Sequence, residues 1–398
     1  MQLPEDFITQ TRGIMGNERF ERYLEAFRQE APVSIRLNPR KTAGMAVVAG
    51  ERVPWCTQGY YLPTRPGFTF DPLLHAGCYY VQEASSMFLD EVLRQHLPRR
   101  DAVTALDLCA APGGKSTLLR AALPEGSTLY SNEPMRQRAA ILAENVEKWG
   151  YEGCIVTNNY PRDYHKAKMK FDVILCDVPC SGEGMFRKDE ATISEWSLQN
   201  VEKCWRLQRE IVADAWECLN EGGLFIYSTC TFNTKENEEN VRWMLAEYDA
   251  TLLPIETKAE WGITGSLLEG FQQPVCRFIP GITRGEGLFM AALRKGSLPL
   301  SPSNRRGNPQ QLNIMQPLLA KAEGEAPLTY QQALAYLRHE ALVLPPETPR
   351  GLINVSFMGH VLGPVKNIGT RANNLYPKEW KIKTTHIPND YEAILRNT

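Results

Sequence analysis

The 398 residues carry 44 Lys and Arg against 46 Asp and Glu, for a formal net charge of −2, and 43% are hydrophobic. That composition is ordinary for a globular protein and excludes a chain-wide polybasic character, while a local basic face would still suffice for phosphate contact. The length predicts two or three domains with buried cores, and no run approaches about 18 uncharged apolar residues, so no membrane span is expected.

The chain opens MQLPEDFITQTRG, with early acids and no apolar stretch, which is not a secretory signal. The ten cysteines form no dense framework, so reduced thiols in a cytoplasmic protein are expected. Residues 1–75 read as a small α/β domain: a helical pattern from Pro4 to Gln29, the strand-like PVSIRLNP, then an aromatic, turn-rich stretch. VQEASSMFLDEVLRQHL predicts one amphipathic helix. Across residues 76–298 strands and helices alternate. AVTALDLCAA, STLYSNE, CIVTNN, FDVILCD, GLFIYSTC and GLFMAALRK read as strands; KSTLLRAAL, a helix stopped by Gly150 and the long NVEKCWRLQREIVADAWECLN lie between them. Such alternation predicts a mostly parallel sheet with helices on both faces and a ligand site at the carboxyl ends of the strands. Residues 299–326 begin with a Pro/Ser/Asn/Gly cluster and read as a linker. Over 327–398 one helix pattern, YQQALAYLRHEAL, precedes short strands. Within residues 351–385, Lys366, Arg371, Lys378, Lys381 and Lys383 stand against the single Glu379, which fits either a nucleic-acid module or a solvated face.

LDLCAAPGGKSTLL puts small residues between a strand and a helix, where backbone N–H groups can meet a ligand closely. GKS alone would suit a phosphate-binding loop, but that motif needs glycine where Cys109 stands, and G-x-G-x-x-G is absent. A ligand without a polyphosphate fits better. Glu133 follows the second strand, about 20 residues past the glycine turn, where an acid can hold ribose hydroxyls. Arg138, one turn further, either fixes Glu133 or is a surface residue. Asp177, Cys180 and Cys230 all follow strands, at the edge where chemistry is expected. A single cysteine is usually a small buried hydrophobe, and Cys154, Cys176, Cys204, Cys218 and Cys276 read that way. Zinc and thiol exchange both lack their C-x-x-C signature around Cys180 and Cys230.

CAAPGGKS, DVPCSGEGMFRKD and YSTCTFNTKENEENV together resemble the Sun-type RNA cytosine-C5 methyltransferases over nearly the whole chain. The likeness is greatest to their bacterial RsmF-like branch, which modifies small-subunit (16S) ribosomal RNA. YLRHEAL and RANNLYPKEW resemble that branch's C-terminal PUA-like RNA-binding region. The resemblance implies an α/β chain: a Rossmann-like class I methyltransferase core between a small N-terminal RNA-binding domain and a PUA-like β-rich domain. It implies S-adenosyl-L-methionine as cofactor, no metal, and RNA as partner, with a monomer as the default. Cys109, Ala110, Ala111, Pro112, Gly113, Gly114, Lys115, Glu133 and Asp177 would contact the cofactor or lie beside it, with Arg138 and Asn159 at the margin. The family usually has an acid after strand three; TNNYPRD leaves Asn159 or a neighbour in that place, so the adenine contact is open.

The resemblance further implies that Cys230 attacks C6 of cytosine, that Cys180 helps release the product, and that Asp177 bonds the N3 or amino edge. Such covalent catalysis answers a chemical need, since C5 is too weak a nucleophile until a thiolate has added to C6. A free thiol, with a pKa of roughly 8.5, is mostly protonated at neutral pH, so nearby positive charge or a poised base should assist; Arg187 and Lys188 are candidates for the charge, although a loop arginine and lysine more often contact RNA or solvent. A tRNA substrate, methyl transfer to protein or small molecules, and a non-catalytic ribosome assembly factor are the competing readings.

Overall fold

The computed structural model describes residues 3–97, 101–296, 307–384 and 386–398. Its first element, α1 (Glu5–Ala26), is broken at Gly16, whose φ of +76° suits only glycine without strain. Phe7, Phe20 and Tyr23 line its buried face. A small antiparallel sheet follows in the order β3-β4-β1-β5. It is built from β1 (Val33–Leu37), β3 (Glu51–Arg52), β4 (Gly59–Leu62) and β5 (Tyr79–Val81), while β2 (Met45–Val47) stands apart from it and α2 (Pro72–His75) precedes β5.

The helix predicted over VQEASSMFLDEVLRQHL is shorter than its pattern. Val81 closes β5, and α3 covers only Leu89–His96 after a 3-10 turn at Ser85–Phe88. Three bonds account for this: Gln82 N–H pairs with Ser34 O at 3.2 Å, extending the sheet contact. The Glu83 carboxylate then accepts the N–H groups of Ser85 (2.9 Å) and Ser86 (3.0 Å), which starts the turn there.

The alternating region forms β6 (Thr104–Asp107), α4 (Gly114–Ala122), β7 (Thr128–Asn132), α5 (Arg136–Trp149), β8 (Cys154–Thr157), α6 (Pro161–Lys166) and β9 (Phe171–Asp177). It continues with α7 (Glu190–Glu195), α8 (Leu198–Glu217), β10 (Leu219–Thr229), α9 (Glu238–Glu247), β11 (Ala250–Leu253), β12 (Cys276–Phe278) and β13 (Leu288–Lys295). The sheet order is β11-β13-β10-β9-β6-β7-β8, with β12 also on β13. Strands β6 to β10 run parallel and β13 is antiparallel. Helices cover both faces, so β9 and β13 are almost continuously apolar and buried. Strand order reverses between β6 and β9, which opens a crevice at their carboxyl ends.

Of the predicted linker, residues 299–306 lie outside the described residues. The rest is no loose tether. Asn313 O accepts Asn158 N–H at 3.0 Å, and Met315 N–H donates to Val156 O at 2.9 Å. Glu147 then accepts the N–H groups of Leu318 (3.0 Å) and Leu319 (2.7 Å). This strap covers the open edge of β8, whose backbone groups need partners.

The C-terminal module comprises β14 (Glu325–Pro327), α10 (Tyr330–Leu337), β15 (Gly351–Phe357), β16 (His360–Asn367), β17 (Ala372–Asn374) and β18 (Leu395–Asn397). Strands β14 to β17 form one sheet, and β18 pairs with β2 near the chain's other end. Ile35, Leu37, Leu73 and Tyr79 share one apolar cluster with Ala333, Tyr336, Val355 and Leu395. Two small modules, each short of interior, thus bury one core between them.

Candidate active site

The glycine turn leaves β6 at Asp107 and enters α4 at Gly114. Gly113 adopts φ +117°, a backbone conformation that side chains disfavour. Neighbouring strand ends hold the turn. Ala110 N–H donates to Asn132 O at 2.7 Å, and the Asn132 amide donates to Leu108 O (3.0 Å) and Asn159 O (2.9 Å). Beneath it, Asp107 is fully buried; Ser116 Oγ donates to its Oδ2 at 2.6 Å, while Oδ1 has no hydrogen-bond partner among the described residues. Burial pushes the Asp107 carboxyl up to about 7. Cys109 is also pushed up by burial and stays a neutral thiol.

Glu133 follows β7 as a buried acid. Its Oε1 accepts Met135 N–H at 3.0 Å, and its Oε2 faces Arg138 Nη1 at 3.3 Å. Arg138 also donates to Ala111 O at 3.0 Å, so it ties Glu133 to the glycine turn. Asn159 lies beside them, but its side chain is spent elsewhere: Oδ1 accepts Asn313 N–H at 3.0 Å and Nδ2 donates to Asn313 O at 3.2 Å. The strap therefore occupies the amide expected at the adenine.

Across the crevice, Lys115 Nζ bonds Asp177 Oδ2 at 2.9 Å. Burial works against the ammonium, but Asp177, then Cys230 and Asp107, outweigh it and hold the Lys115 pKa above its ordinary value. Cys180 and Cys230, 50 residues apart, come together with their sulfurs 3.3 Å apart. Cys180 also receives the Cys230 N–H at 3.4 Å. The thiol bond to Cys230, burial and the charge of Glu236 hold the Cys180 pKa well above the thiol range, so Cys180 keeps its proton.

The charge expected from Arg187 and Lys188 is not at the thiols. Arg187 is largely shielded in a pair with Glu286 (2.7 Å) and donates to Ala26 O (3.0 Å), while Lys188 is exposed. Lys115 is the cation that the fold places there. Its signal was in the sequence: one residue into a helix after β6, a long side chain reaches back over the strand ends. Cys176, Cys218 and Cys276 are buried, as a packing role requires; Cys154 and Cys204 are only partly so.

The N-terminal module reaches into this site in two places. Phe7 of α1 packs on Phe186 at 4.9 Å, and Tyr23 on Phe232 at 5.3 Å, so one helix braces both cysteine loops. Arg36 of β1 is fully buried, stacked 4.5 Å over Trp149, and donates to Gln82 Oε1 (2.7 Å), Thr117 Oγ1 (2.6 Å) and Gly114 O (3.2 Å). It thereby grips the first turn of α4. Next to the Cys180 loop a cavity of about 680 Å³ is lined by Ser34, Arg65, Gln82, Arg187 and Lys188. Lys366, Arg371, Lys378, Lys381 and Lys383 are all exposed.

A family model described as 16S rRNA methyltransferase RsmB/F matches residues 94–294. The chain belongs to this family. The N-terminal domain of 16S rRNA methyltransferase RsmF matches residues 3–84, and the methyltransferase RsmF PUA domain matches 324–382. Ribosomal RNA small subunit methyltransferase F of Pectobacterium atrosepticum is 36% identical over 75% of this chain and 64% of its own length. The protein of the same name from Enterobacter sp. strain 638 is 30% identical over 92% of this chain and 81% of its own. The chain thus spans about 64% of the length of the first relative. Among solved structures, a methyltransferase homologue from Pyrococcus horikoshii is 26% identical with a TM-score of 0.59, covering 74% of this chain and 100% of its own. Within the family's Rossmann-like architecture, the glycine turn and the two cysteine loops occupy one crevice.

Proposed function

We propose that this protein is an S-adenosyl-L-methionine-dependent RNA (cytosine-C5) methyltransferase acting on small-subunit (16S) rRNA. The observation that carries the reading is the thiol pair. Two cysteines from separate strand ends, 3.3 Å apart beside a Lys115–Asp177 pair, have no purpose in direct methyl transfer to nitrogen or oxygen. They suit a carbon centre that needs covalent activation.

The cofactor fits the residues present. The turn from Cys109 to Lys115 approaches closely because of Ala110, Ala111, Gly113 and Gly114, with Pro112 at its exposed tip. Glu133 is held by Arg138 in the place for ribose hydroxyls, and the unpartnered Asp107 Oδ1 offers a further acceptor under the turn. When bound, S-adenosyl-L-methionine supplies an electrophilic methyl group. Asn159 holds the strap, so any adenine contact falls to its neighbours' backbone.

Cys230 adds to C6 of the target cytosine and makes C5 nucleophilic. Asp177 takes the N3 or amino edge of the base, and Lys115 supplies positive charge beside the ring as charge moves onto it. After methyl transfer, C5 carries both methyl and hydrogen. Loss of that proton restores the double bond and expels Cys230. Cys180 assists that step: its thiol proton passes to the departing Cys230 sulfur, 3.3 Å away, as Cys180 takes the proton from C5. The base must leave its stack to reach the thiols.

RNA binding is assigned to the N-terminal module, the cavity beside Lys188 and the exposed lysines of the C-terminal module. A ribosomal substrate places the reaction in the cytoplasm. Transfer of tritiated methyl to 16S rRNA or 30S subunits, with bisulfite sequencing of rRNA and tRNA from a deletion strain, tests the whole reading. A new unmethylated cytosine in tRNA alone would replace the substrate; no methyl transfer at all would leave an assembly factor.

A further inference from the structure

Around the two cysteines stands a set of acids with no part in the chemistry above. Glu183 belongs to the Cys180 loop, yet its Oε2 accepts the backbone N–H groups of Phe232 (2.7 Å) and Asn233 (2.9 Å) in the Cys230 loop. Glu236 belongs to the Cys230 loop, yet its Oε1 accepts the N–H of Ser181 (3.0 Å), the residue after Cys180. Asn233 joins them, its Nδ2 standing 3.0 Å from Glu183 Oε1 and 2.6 Å from Glu236 Oε2. The loops also meet backbone to backbone: Gly184 N–H donates to Cys230 O at 2.8 Å, and a Cβ on Gly184 would sit 2.8 Å from that oxygen.

Glu183 is 1% exposed and Glu236 is fully buried, and among the described residues neither forms an ion pair with Lys or Arg. Buried carboxylates without a cation are costly unless donors meet them. Burial, and then the charge of Glu183, push the Glu236 carboxyl up to about 7. The two acids are therefore kept near each other against repulsion, by bonds that end one to three residues from each cysteine. A purely local loop brace would close within its own loop. These cross over.

We propose that Glu183 and Glu236 are positioning residues, a reciprocal clamp that fixes the spacing of the Cys180 and Cys230 thiols so that release of the RNA adduct keeps pace with its formation. The proposal rests on the reading of these thiols as the releasing and attacking groups.

Two measurements on the full chain test it. In the first, the protein is equilibrated with reduced and oxidised glutathione. The Cys180–Cys230 disulfide forms as both thiols are oxidised and one glutathione disulfide becomes two glutathiones, and mass spectrometry reads its fraction. Glu236→Gln turns one acceptor into a donor facing either Asn233 Nδ2 or the Ser181 N–H and Gln208 Nε2. It should shift this equilibrium by about tenfold, as loss of a charge-assisted bond predicts. Glu183→Gln, which keeps an oxygen for the Phe232 and Asn233 N–H groups, serves if Glu236→Gln does not fold. An unchanged equilibrium in a folded variant overturns the clamp.

In the second, 16S rRNA transcript and the same transcript containing 5-fluorocytidine are the probes. The clamp variants, with both cysteines intact, should accumulate an SDS-stable adduct on ordinary transcript where the wild type does not. Slowed turnover without an adduct would also overturn the clamp. If the wild type traps nothing on 5-fluorocytidine RNA, the assigned thiol roles fail instead, and the glutathione shift still reports on the spacing.

Discussion

Lys115 Nζ and Asp177 Oδ2, 62 positions apart in the chain, are joined at 2.9 Å and bridge the start of α4 to the end of β9. Both are largely shielded, at 15% and 29% exposure, so solvent screens the pair only in part. Lys115→Met should leave Asp177 uncompensated and remove the positive charge beside the thiols. Single-turnover methyl transfer should fall about a hundredfold, the order seen when one preorganised charge or donor is lost from an active site. Lys115→Arg keeps the charge but not the shape, and should recover only part of the rate. Wild-type rates in a folded Lys115→Met protein would sink the assignment.

The division of labour between the thiols has its own signature. Cys230→Ala should abolish both methylation and the covalent RNA adduct. Cys180→Ala should permit attack but stall release, leaving an SDS-stable protein–RNA band on ordinary RNA. A trapped band from Cys230→Ala instead would exchange the two roles.

Arg36 supplies a third test, because it couples the N-terminal module to the cofactor turn. Burial draws its pKa down to about 10, and its acceptors are all neutral: Gln82 Oε1, Thr117 Oγ1 and Gly114 O. Asn38 and Lys41, a few residues on, donate to Trp149 O (2.9 Å) and Lys148 O (2.7 Å) at the end of α5. Arg36→Met should cost about 2–3 kcal/mol through the buried acceptors it strands, read as a lower melting temperature. It should also weaken S-adenosyl-L-methionine binding by calorimetry, since Gly114 ends the turn that would hold it and Thr117 lies in the first turn of α4 behind it. Lower stability with unchanged cofactor affinity would confine Arg36 to a structural part.

Much of this was readable because the signals were local. Apolar runs between glycine and proline stops located β6 to β10, and the residues just past those strands had to lie at the sheet's carboxyl edge. Cys180, Cys230, Asp177 and Glu133 could therefore be placed at that edge from the sequence alone. Arg187 misled because charge in a loop does not reveal its partner, and Glu286 lies 99 positions away. Glu183 and Glu236 were invisible for the same reason: two acids among 46 carry no mark of the backbone groups they will accept. The pairing of β18 with β2, and the strap from Asn313 to Leu319, are likewise long-range. A Pro- and Asn-rich stretch looks like a linker until an open strand edge is there to receive it.

Asp107 gives the molecule a pH dependence whose sign follows from its burial. Its ordinary pKa of 3.8 is pushed up to about 7 in the folded protein, with desolvation the largest cause. The unfolded chain therefore ionises this group first. The stability it contributes is complete below about pH 4 and is lost as pH rises toward 7, with no further change above. Asp107→Asn keeps an oxygen for the Ser116 hydroxyl and cannot ionise. Measured by urea denaturation, the variant should gain stability relative to wild type as pH goes from 5 to 8. Glu236, also raised to about 7, titrates in both proteins and cancels from the difference. A stability difference that stays flat between pH 5 and 8 would mean that Asp107 is ionised throughout, and that its unpartnered oxygen is stabilised by something other than a proton.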